Sequence, residues 1–334
     1  MHRIAIPLIA GLLLVALAVS TSATASRAAG PDNGLLAAYE PVMQFDPTEH
    51  FLPTKVESFI TDSALEQFTA TDGWVVAMTH AAPGDLPSSG ADTWRLDQRG
   101  CTPSMQLGGL DCYSAAGDVG GGGPTVYGRV TREGGDIILQ YWFFYYDDVY
   151  SYTYPATDFI WQAHEGDWED VNVVLTGDEQ PLYVGYSQHC SGERHAWGDT
   201  VRFDDTHPIV HVAVGSHANY FAAGTHPINI ACIPPAAVAI LRQNGLPLPV
   251  DYAFPGGATV GPPHVDGKVM PIDQVGASGP KWLQFPGTWG EQQYFHAPPP
   301  IGTVPFGASP VGPAFHAEWI DPLATLATWP LTKS

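Results

Sequence analysis

The chain has little positive charge and few charged residues of any kind. Of its 334 residues only 13 are Lys or Arg, four of them lysines, against 34 Asp or Glu, so the formal net charge is −21. Charged residues make up 14% of the sequence, against about 25% in an ordinary soluble domain. An acidic surface repels the phosphates of nucleic acids. The composition therefore excludes a basic nucleic-acid-binding protein and a coiled coil, and we expect no nucleic-acid partner.

Long hydrophobic runs are also absent beyond the N-terminus, which excludes a polytopic membrane protein. The one apolar stretch, residues 4–19, follows Arg3 and precedes the small-x-small sequence Ala23-Thr24-Ala25. It falls short of the ~20 residues that cross a bilayer, and its flanks are those of a signal peptide. We predict that residues 1–25 are a secretory signal. The mature protein is then secreted, with no transmembrane segment.

Cysteine is scarce, and its spacing excludes two common uses. Cys101, Cys112, Cys190 and Cys232 are the four cysteines, and no two of them form a C-x-x-C pair. A zinc ribbon or a thiol oxidoreductase is therefore disfavoured, and an even number in an oxidising compartment predicts disulfides. Three pairings are possible; we favour Cys101–Cys112 with Cys190–Cys232.

Several catalytic motifs are missing as well. The sequence has no G-x-S-x-G elbow, no H-E-x-x-H zincin motif, no P-loop and no Rossmann fingerprint. Each of these motifs supplies a nucleophile, a zinc ligand set or a phosphate cradle. No standard hydrolase, nucleotide-binding or dinucleotide-binding class is indicated.

Turn-formers and aromatic residues are what the chain has in abundance: 36 Gly, 31 Pro, 10 Trp, 14 Tyr and 14 Phe. β-branched and aromatic runs bounded by turns predict a mainly β protein, an antiparallel β-sandwich with long Pro/Gly-rich loops and a few short helices. We predict one domain over residues 35–330, with strands at 125–131, 136–146, 170–176, 182–187 and 208–214. A capping box at Ser63–Glu66 predicts a helix to about Phe68. Pro234-Pro235-Ala236, with Asn244-Gly245 as the stop, predicts another helix through Gln243.

Two further segments have an expected structural role. The region 246–313 is predicted to be mostly loop, packed by Trp282, Phe285 and Trp289. The aromatic run at 141–146 could stack on sugars, but we favour a role in core packing.

The densest polar cluster in the sequence is His164-Glu165-Gly166-Asp167-Trp168-Glu169-Asp170. Side chains alternate along a strand, so Asp167 and Glu169 share a face, and His164 can fold back over them at Gly166. An imidazole and two carboxylates that converge need a cation or a shared proton. Such a nitrogen and oxygen set suits Ca²⁺, Mg²⁺, Mn²⁺ or Zn²⁺ without choosing among them. The alternative is an acidic surface strand with a hydrogen-bonded histidine.

Other side chains could complete this site. Asp147 and Asp148 directly follow the aromatic strand and could add carboxylate ligands. His217 follows Gly215 at the end of a strand and could be a ligand or a general base, whereas a backbone hydrogen bond is the simpler role. In a hydrolase, His164 or His217 would be the base and Glu169 or Glu165 the acid. We take His217 and Glu165 as the candidate catalytic pair.

The motifs also resemble those of a known family. The chain resembles the vacuolar protein sorting-associated protein sixty-two family in H-E-G-D-W-E at 164–169 and G-S-H-A-N-Y at 215–220. Further matches are Tyr39–Pro47 with Glu49 and 51–53, 140–144, 207–210, 289–291, and 312–314 with Trp319 and 321–322. The resemblance implies no settled biochemical activity, and the sorting phenotype behind the family name does not transfer to an exported chain.

A weaker resemblance links the aromatic strand and H-x-x-D-W-E to the necrosis- and ethylene-inducing-peptide-like proteins. Those are secreted β-sandwich cytolysins that use a divalent cation against sphingolipid head groups. The resemblance implies His164, Asp167 and Glu169 as metal ligands, with Asp147, Asp148 or Asp158 as the upstream aspartate; we take Asp148. Glu165-Gly166 replaces Arg-His between the ligands, so the same target is not implied.

Three functions remain open at this point. The favoured one is a secreted metal-dependent protein that binds a glycan or lipid head group. The second is a metal-dependent or acid/base hydrolase of a polysaccharide or phosphoester, and the third is a structural cell-wall-associated protein.

Overall fold

The computed structural model describes residues 31–98, 123–151, 160–262, 268–269, 272–276, 279–291, 293–297 and 302–333. The predicted signal peptide, the predicted Cys101–Cys112 disulfide and Asp158 lie outside these residues. The single domain over 35–330 stays a prediction.

The predicted fold class is confirmed, because the chain is mainly β with a few short helices. The helices are α1 (Pro31–Tyr39), α2 (Val56–Asp62), α3 (Pro235–Gln243), α4 (Ala317–Ile320) and α5 (Pro322–Thr328), with 3-10 turns at Trp197–Asp199, Ile230–Cys232, Lys281–Gln284 and Pro313–Phe315. The first strands are β1 (Val42–Gln44), β2 (Ser63–Thr69), β3 (Gly73–Met78), β4 (Trp94–Gln98), β5 (Val126–Glu133), β6 (Asp136–Ser151), β7 (Ile160–Leu175), β8 (Pro181–Gln188), β9 (Ser191–Ala196) and β10 (Arg202–Phe203). The remaining strands are β11 (His207–Val212), β12 (Asn219–Tyr220), β13 (Gly224–Pro227), β14 (Val250–Ala253), β15 (Thr259–Gly261), β16 (Lys268–Val269), β17 (Ile272–Gln274), β18 (Gln293–Ala297), β19 (Gly302–Gly307) and β20 (Leu331–Thr332). None of the described helices has the length and hydrophobicity needed to cross a bilayer.

The largest sheet has seven strands in the order β17-β5-β6-β7-β8-β9-β20. Its five central strands are joined in antiparallel pairs, as predicted, while the outer pairs β17·β5 and β20·β9 are parallel. A second sheet runs β10-β11-β1-β15-β16, with β12 on β11, and it also mixes parallel and antiparallel pairs. Smaller sheets are β3-β2-β4, β13-β14 and β18-β19.

The seven-stranded sheet is covered on both faces, which explains the nearly continuous apolar run in β6. On one face Tyr145 packs against Phe45 beside β1, with ring centroids 6.4 Å apart. On the other face Phe144 packs against Trp289, at 5.2 Å. Burial on both faces selects aromatic and β-branched residues at every position instead of alternate ones. The aromatic run therefore lies in the core, as predicted, and Trp282, Phe285 and Trp289 are buried with it.

Two local predictions are corrected by the structure. The helix predicted at 63–68 is wrong: this segment is strand β2, between β3 and β4. Ser63 does not cap a helix start, because its hydroxyl donates to the Phe59 carbonyl at the end of α2, and Glu66 pairs across the sheet with Arg95 at 2.7 Å. The segment 246–313 is also less irregular than predicted, since it contributes the short strands β14 to β19.

The second predicted helix and one disulfide are confirmed. Helix α3 begins at Pro235 and is followed by Gly245 at φ +65°, the pattern that predicted it. Cys190 and Cys232 form a disulfide that closes a separation of 42 residues.

Candidate functional site

The polar motif lies inside β7, in the middle of the largest sheet. Strand β7 runs from Ile160 to Leu175, ten residues longer at its start than predicted. It pairs with β6 so that His164 lies opposite Asp148 and Asp167 lies opposite Tyr145. The two longest strands of the fold therefore bring the histidine and carboxylates together, and all of these side chains are buried. The alternative of an acidic surface strand is not what the structure shows.

Gly166 interrupts the alternation of side chains along β7. It has φ +57°, a conformation that L residues rarely adopt and glycine adopts readily. An added Cβ would lie 2.2 Å from the carbonyl oxygen of Trp289. His164 and Asp167, three residues apart, would face opposite sides of a regular strand. With Gly166 between them, both line the same pocket, while Glu165 turns to the other face, where it meets Gln98.

The pocket has a volume of about 480 Å³. That is within the range of small-molecule sites. Part of its wall is apolar, from Ile228, Ile233 and Pro234. Its polar lining includes Asp148, His164, Asp167, Glu169, His189 and Ser216, and Tyr150 and His316 also line it.

His164 is held by a hydrogen bond to the backbone of its own motif. Its Nδ1 lies 2.9 Å from the carbonyl oxygen of Gly166, and its Nε2 lies 3.3 Å from Oδ2 of Asp148. Burial alone would lower the pKa of this imidazole, but Asp148 and Asp167 raise it to about 9. Because Nδ1 donates to the carbonyl, Nε2 is the nitrogen that faces the other acidic groups.

Two carboxyls of the pocket have raised pKa values. Burial, followed by the carboxylate of Asp167, raises the pKa of Glu169 well above its usual range. Burial also raises the pKa of Asp148, against the lowering effect of His164. Glu169 accepts a short hydrogen bond from the hydroxyl of Ser187 on β8, whereas Oδ1 of Asp148 has no hydrogen-bond partner among the described residues.

His217 is fully buried behind the pocket and is contacted on several sides. Its Nδ1 lies 2.9 Å from Oδ2 of Asp167, and its Nε2 lies 3.5 Å from Glu49. The ring of Tyr145 stacks on it at 3.8 Å with an interplanar angle of 1°. Burial would lower the pKa of His217, but Glu49 and Asp167 raise it to about 10. The residue is therefore a cation at neutral pH that holds Asp167 in place.

The structure does not bring the candidate catalytic pair together. His217 is positively charged and solvent-inaccessible, which is the wrong state for a general base. Glu165 points away from the pocket, and its Oε2 accepts a hydrogen bond of 3.1 Å from the backbone N–H of Gln98. Their roles as base and acid stay predictions, and this geometry favours a positioning role for His217.

A second buried network, missed by the sequence reasoning, forms the opposite wall of the pocket. Asp251 is fully buried and accepts hydrogen bonds from the hydroxyls of Ser216 and Tyr220, at 2.7 and 2.6 Å. His189 lies 2.7 Å from the same carboxylate. Burial would raise the pKa of Asp251, but His189 and these hydroxyls hold it below its usual range.

Glu49 is the other functional residue that the motif alone did not indicate. It accepts hydrogen bonds from the backbone N–H groups of Phe51 and Gly215, at 2.8 and 2.7 Å. It therefore links the segment after β1 to the loop that carries His217. The only sequence signal for Glu49 was its place among the residues that carry the family resemblance.

The donor chemistry of the pocket fits a divalent cation. Within the described ranges, no three His, Cys, Asp or Glu side chains are placed so that they could hold a metal ion together. The side chains are nevertheless those that a metal centre uses, and Asp148 has an unpartnered buried oxygen. Outer hydrogen bonds also match the pattern of metal ligands, in which a histidine gives its other nitrogen to a carbonyl. Gly166 provides that carbonyl for His164. In the same way, Ser187 donates a hydrogen bond to Glu169, and His217 donates one to Asp167.

Comparison with known proteins supports the resemblance but not a function. No protein-family model matches the sequence. The chain is 27% identical over 234 residues to the putative vacuolar protein sorting-associated protein TDA6 of Saccharomyces cerevisiae, which confirms the resemblance to vacuolar protein sorting-associated proteins. The match covers 62% of this chain and 46% of that protein, so the chain spans about half the length of this curated relative.

Solved structures with a likeness to this chain include necrosis- and ethylene-inducing proteins. Necrosis and Ethylene inducing Protein 2 from the causal agent of cocoa's Witches Broom disease is 17% identical, covering 56% of this chain and 67% of its own, with a TM-score of 0.31. NLPPya in complex with mannosamine is 15% identical, covering 57% and 68%, also at 0.31. At these TM-scores the likeness carries no inference about the site.

Proposed function

We propose that this chain is a secreted binding protein that holds a divalent cation in the pocket and uses it to bind a glycan or a polyol-bearing lipid head group. The observation that carries the proposal is the convergence of His164, Asp167, Glu169 and Asp148 in one pocket, with Oδ1 of Asp148 buried and unpartnered. Buried carboxylates that lie close together must be neutralised by protons or by a cation.

The charge balance of the site favours a cation. Four buried carboxyl groups, those of Glu49, Asp148, Asp167 and Glu169, stand beside two imidazoles, those of His164 and His217, while the imidazole of His189 is paired with Asp251. A cation would replace the proton on Nε2 of His164, because a ligating imidazole is neutral. The cation would supply a Lewis-acidic centre for ligand oxygens, while His217 and Ser187 would keep Asp167 and Glu169 oriented.

The shape and lining of the pocket favour a sugar or related polyol as the ligand. Vicinal hydroxyls can complete the coordination of a hard cation, and carboxylates accept hydrogen bonds from the remaining hydroxyls. The apolar wall of Ile228, Ile233 and Pro234 suits the C–H face of a sugar ring. The acidic net charge of the chain opposes direct adsorption to anionic lipid, so a lipid would be recognised through its head group.

The first test is a melting curve of the mature protein after treatment with chelator. Ca²⁺, Mg²⁺, Mn²⁺ and Zn²⁺ are added back one at a time to wild type, to Asp167→Asn and to Asp178→Asn. Asp178 is an exposed aspartate in the β7–β8 turn, so its variant controls for the loss of one negative charge. We expect at least one ion to raise the melting temperature of wild type and of Asp178→Asn by more than that of Asp167→Asn, because an ion bound in the pocket stabilises the folded state. The same response in Asp167→Asn as in wild type, for every ion, would refute the site.

A second test separates the two ligand sources. Soluble glycans and neutral liposomes that carry glycosylated lipid are offered to the protein with the active ion and with chelator. We expect binding that chelator abolishes. Binding to free glycan would identify a lectin-like function, and binding to liposomes alone would identify a lipid head group. Binding to either that persists in chelator would contradict the role of the cation.

A further inference from the structure

The face of the sheet away from the pocket carries a second pair of buried carboxylates. Asp147 and Glu165 lie directly opposite each other on β6 and β7, and both side chains are fully buried. Like charges that face each other across a strand pair are destabilising, and burial increases the cost. The fold therefore needs something to neutralise this pair.

One side chain of β4 contacts both carboxylates. The backbone N–H of Gln98 donates to Oε2 of Glu165 at 3.1 Å, and its side-chain amide donates a short hydrogen bond to Oδ1 of Asp147. The second oxygen of each carboxylate, Oε1 of Glu165 and Oδ2 of Asp147, has no hydrogen-bond partner among the described residues. Each carboxylate is thus fixed by one oxygen and leaves the other available.

The nearby positive charge is already engaged. Arg95 lies 2.7 Å from Glu66 and 3.3 Å from Glu291. Asp97, next to Gln98, adds a further carboxyl: burial and the charges of Glu291 and Glu66 raise its pKa to about 7.

We propose that Asp147 and Glu165 hold a Ca²⁺ ion on this face, with their two unpartnered oxygens as ligands, and that the ion fastens β4 to β6 and β7. The available donors are all oxygens, which suits a hard cation, and Ca²⁺ accepts carboxylates together with water. His164, which introduces a nitrogen donor, lies on the opposite face of the same strands. This site is separate from the pocket and does not depend on its function.

The competing explanation is that protons alone neutralise the pair. The double variant Asp147→Asn/Glu165→Gln distinguishes the two, because amides reproduce protonated carboxyls in shape but are poor ligands for Ca²⁺. Equilibrium dialysis with radioactive Ca²⁺ is carried out on wild type, on this double variant and on Asp167→Asn. We expect the double variant to bind one Ca²⁺ per chain fewer than wild type, with Asp167→Asn retaining this ion. Equal Ca²⁺ binding by the double variant and wild type would overturn the proposal.

A second measurement does not depend on the folding of the double variant. Hydrogen–deuterium exchange of β4, residues 94–98, is followed in the Asp167→Asn protein with and without Ca²⁺, so that a pocket ion does not contribute. We expect slower exchange in β4 when Ca²⁺ is present. Exchange in β4 that is unchanged by Ca²⁺ would contradict the proposal, whereas failure of the pocket site appears separately in the Asp167→Asn melting curves.

Discussion

Substitution of Gly166 by alanine tests the central geometric feature of the site. The change adds one methyl group to a residue at φ +57°, and that methyl would lie 2.2 Å from the carbonyl oxygen of Trp289. The left-handed conformation costs an L residue about 1–2 kcal/mol. Inserting an extra carbon into a packed region costs roughly 1–3 kcal/mol more. We therefore expect Gly166→Ala to lower the free energy of unfolding by about 2–5 kcal/mol.

Gly73 provides a matched control for the backbone contribution. It has φ +72°, and an added Cβ would meet no heavy atom within 4 Å. Gly73→Ala should therefore lower the free energy of unfolding only by the cost of the left-handed conformation, about 1–2 kcal/mol. In both variants the stiffer unfolded chain offsets up to about 1 kcal/mol, so the difference between them isolates the contact with Trp289.

Urea unfolding of the two variants and wild type measures these free energies. The ion response of the melting temperature is followed in parallel, because Gly166 also places His164 beside Asp167. We expect Gly166→Ala to lose the response that the pocket gives in wild type, and Gly73→Ala to keep it. Equal free-energy losses in the two variants, with the ion response intact in both, would refute the reasoning that Gly166 sets the geometry of the site.

Two further predictions concern stability away from the pocket ligands. Burial raises the pKa of Glu40 from 4.5 to about 8, so the folded state binds the extra proton and wild type loses stability as pH rises between these values, by at most about 5 kcal/mol. The melting temperature of Glu40→Gln should therefore rise relative to that of wild type from pH 5 to pH 8, and the difference should stay constant above pH 8. A difference that is the same at every pH would contradict the assignment. Replacing Cys190 and Cys232 by alanine opens a separation of 42 residues and should cost about 4 kcal/mol by loop entropy. Urea unfolding checks this, and an unchanged midpoint would contradict it.

The strands of the large sheet were predictable because their pattern is local. The apolar run that predicted a strand at 136–146 and the turn-bounded run at 182–187 correspond to β6 and β8. The first residues of β7 were not predicted as strand, because His164, Glu165 and Gly166 form a sequence typical of a turn. Pairing with β6 and burial of residues 163–169 override that preference.

The capping box at Ser63 shows a second limit of local evidence. The same four residues satisfy a helix start and a strand, and the pairing of this segment with β3 and β4 decides between them. Sheet β3-β2-β4 depends on that pairing, so the sequence could not show it. Strands β14, β15 and β17 in 246–313 escaped for the same reason, since they pair with β13, β1 and β5 from outside this region.

The site residues on β7 could be predicted from the sequence, but those contributed by distant segments could not. His164, Asp167 and Glu169 could be recognised because one strand brings them together. Glu49 and Asp251 could not, because they reach the site from segments far apart in sequence: Glu49 contacts the His217 loop across 166 residues, and Asp251 contacts His189 across 62.

The position of the glycine in H-E-G-D decides which face of the sheet each of the other side chains occupies. In a regular strand, Glu165 would share a face with Asp167, and His164 would face away from both. The positive φ at Gly166 reverses this assignment, so that His164 joins Asp167 in the pocket and Glu165 joins Asp147 on the other face. Gly166, which has no side chain, thus divides the side chains of His164, Glu165 and Asp167 between two buried polar sites. Any substitution at Gly166 should therefore disturb both sites together, whereas Asp167→Asn and the Asp147/Glu165 double variant should each affect only one.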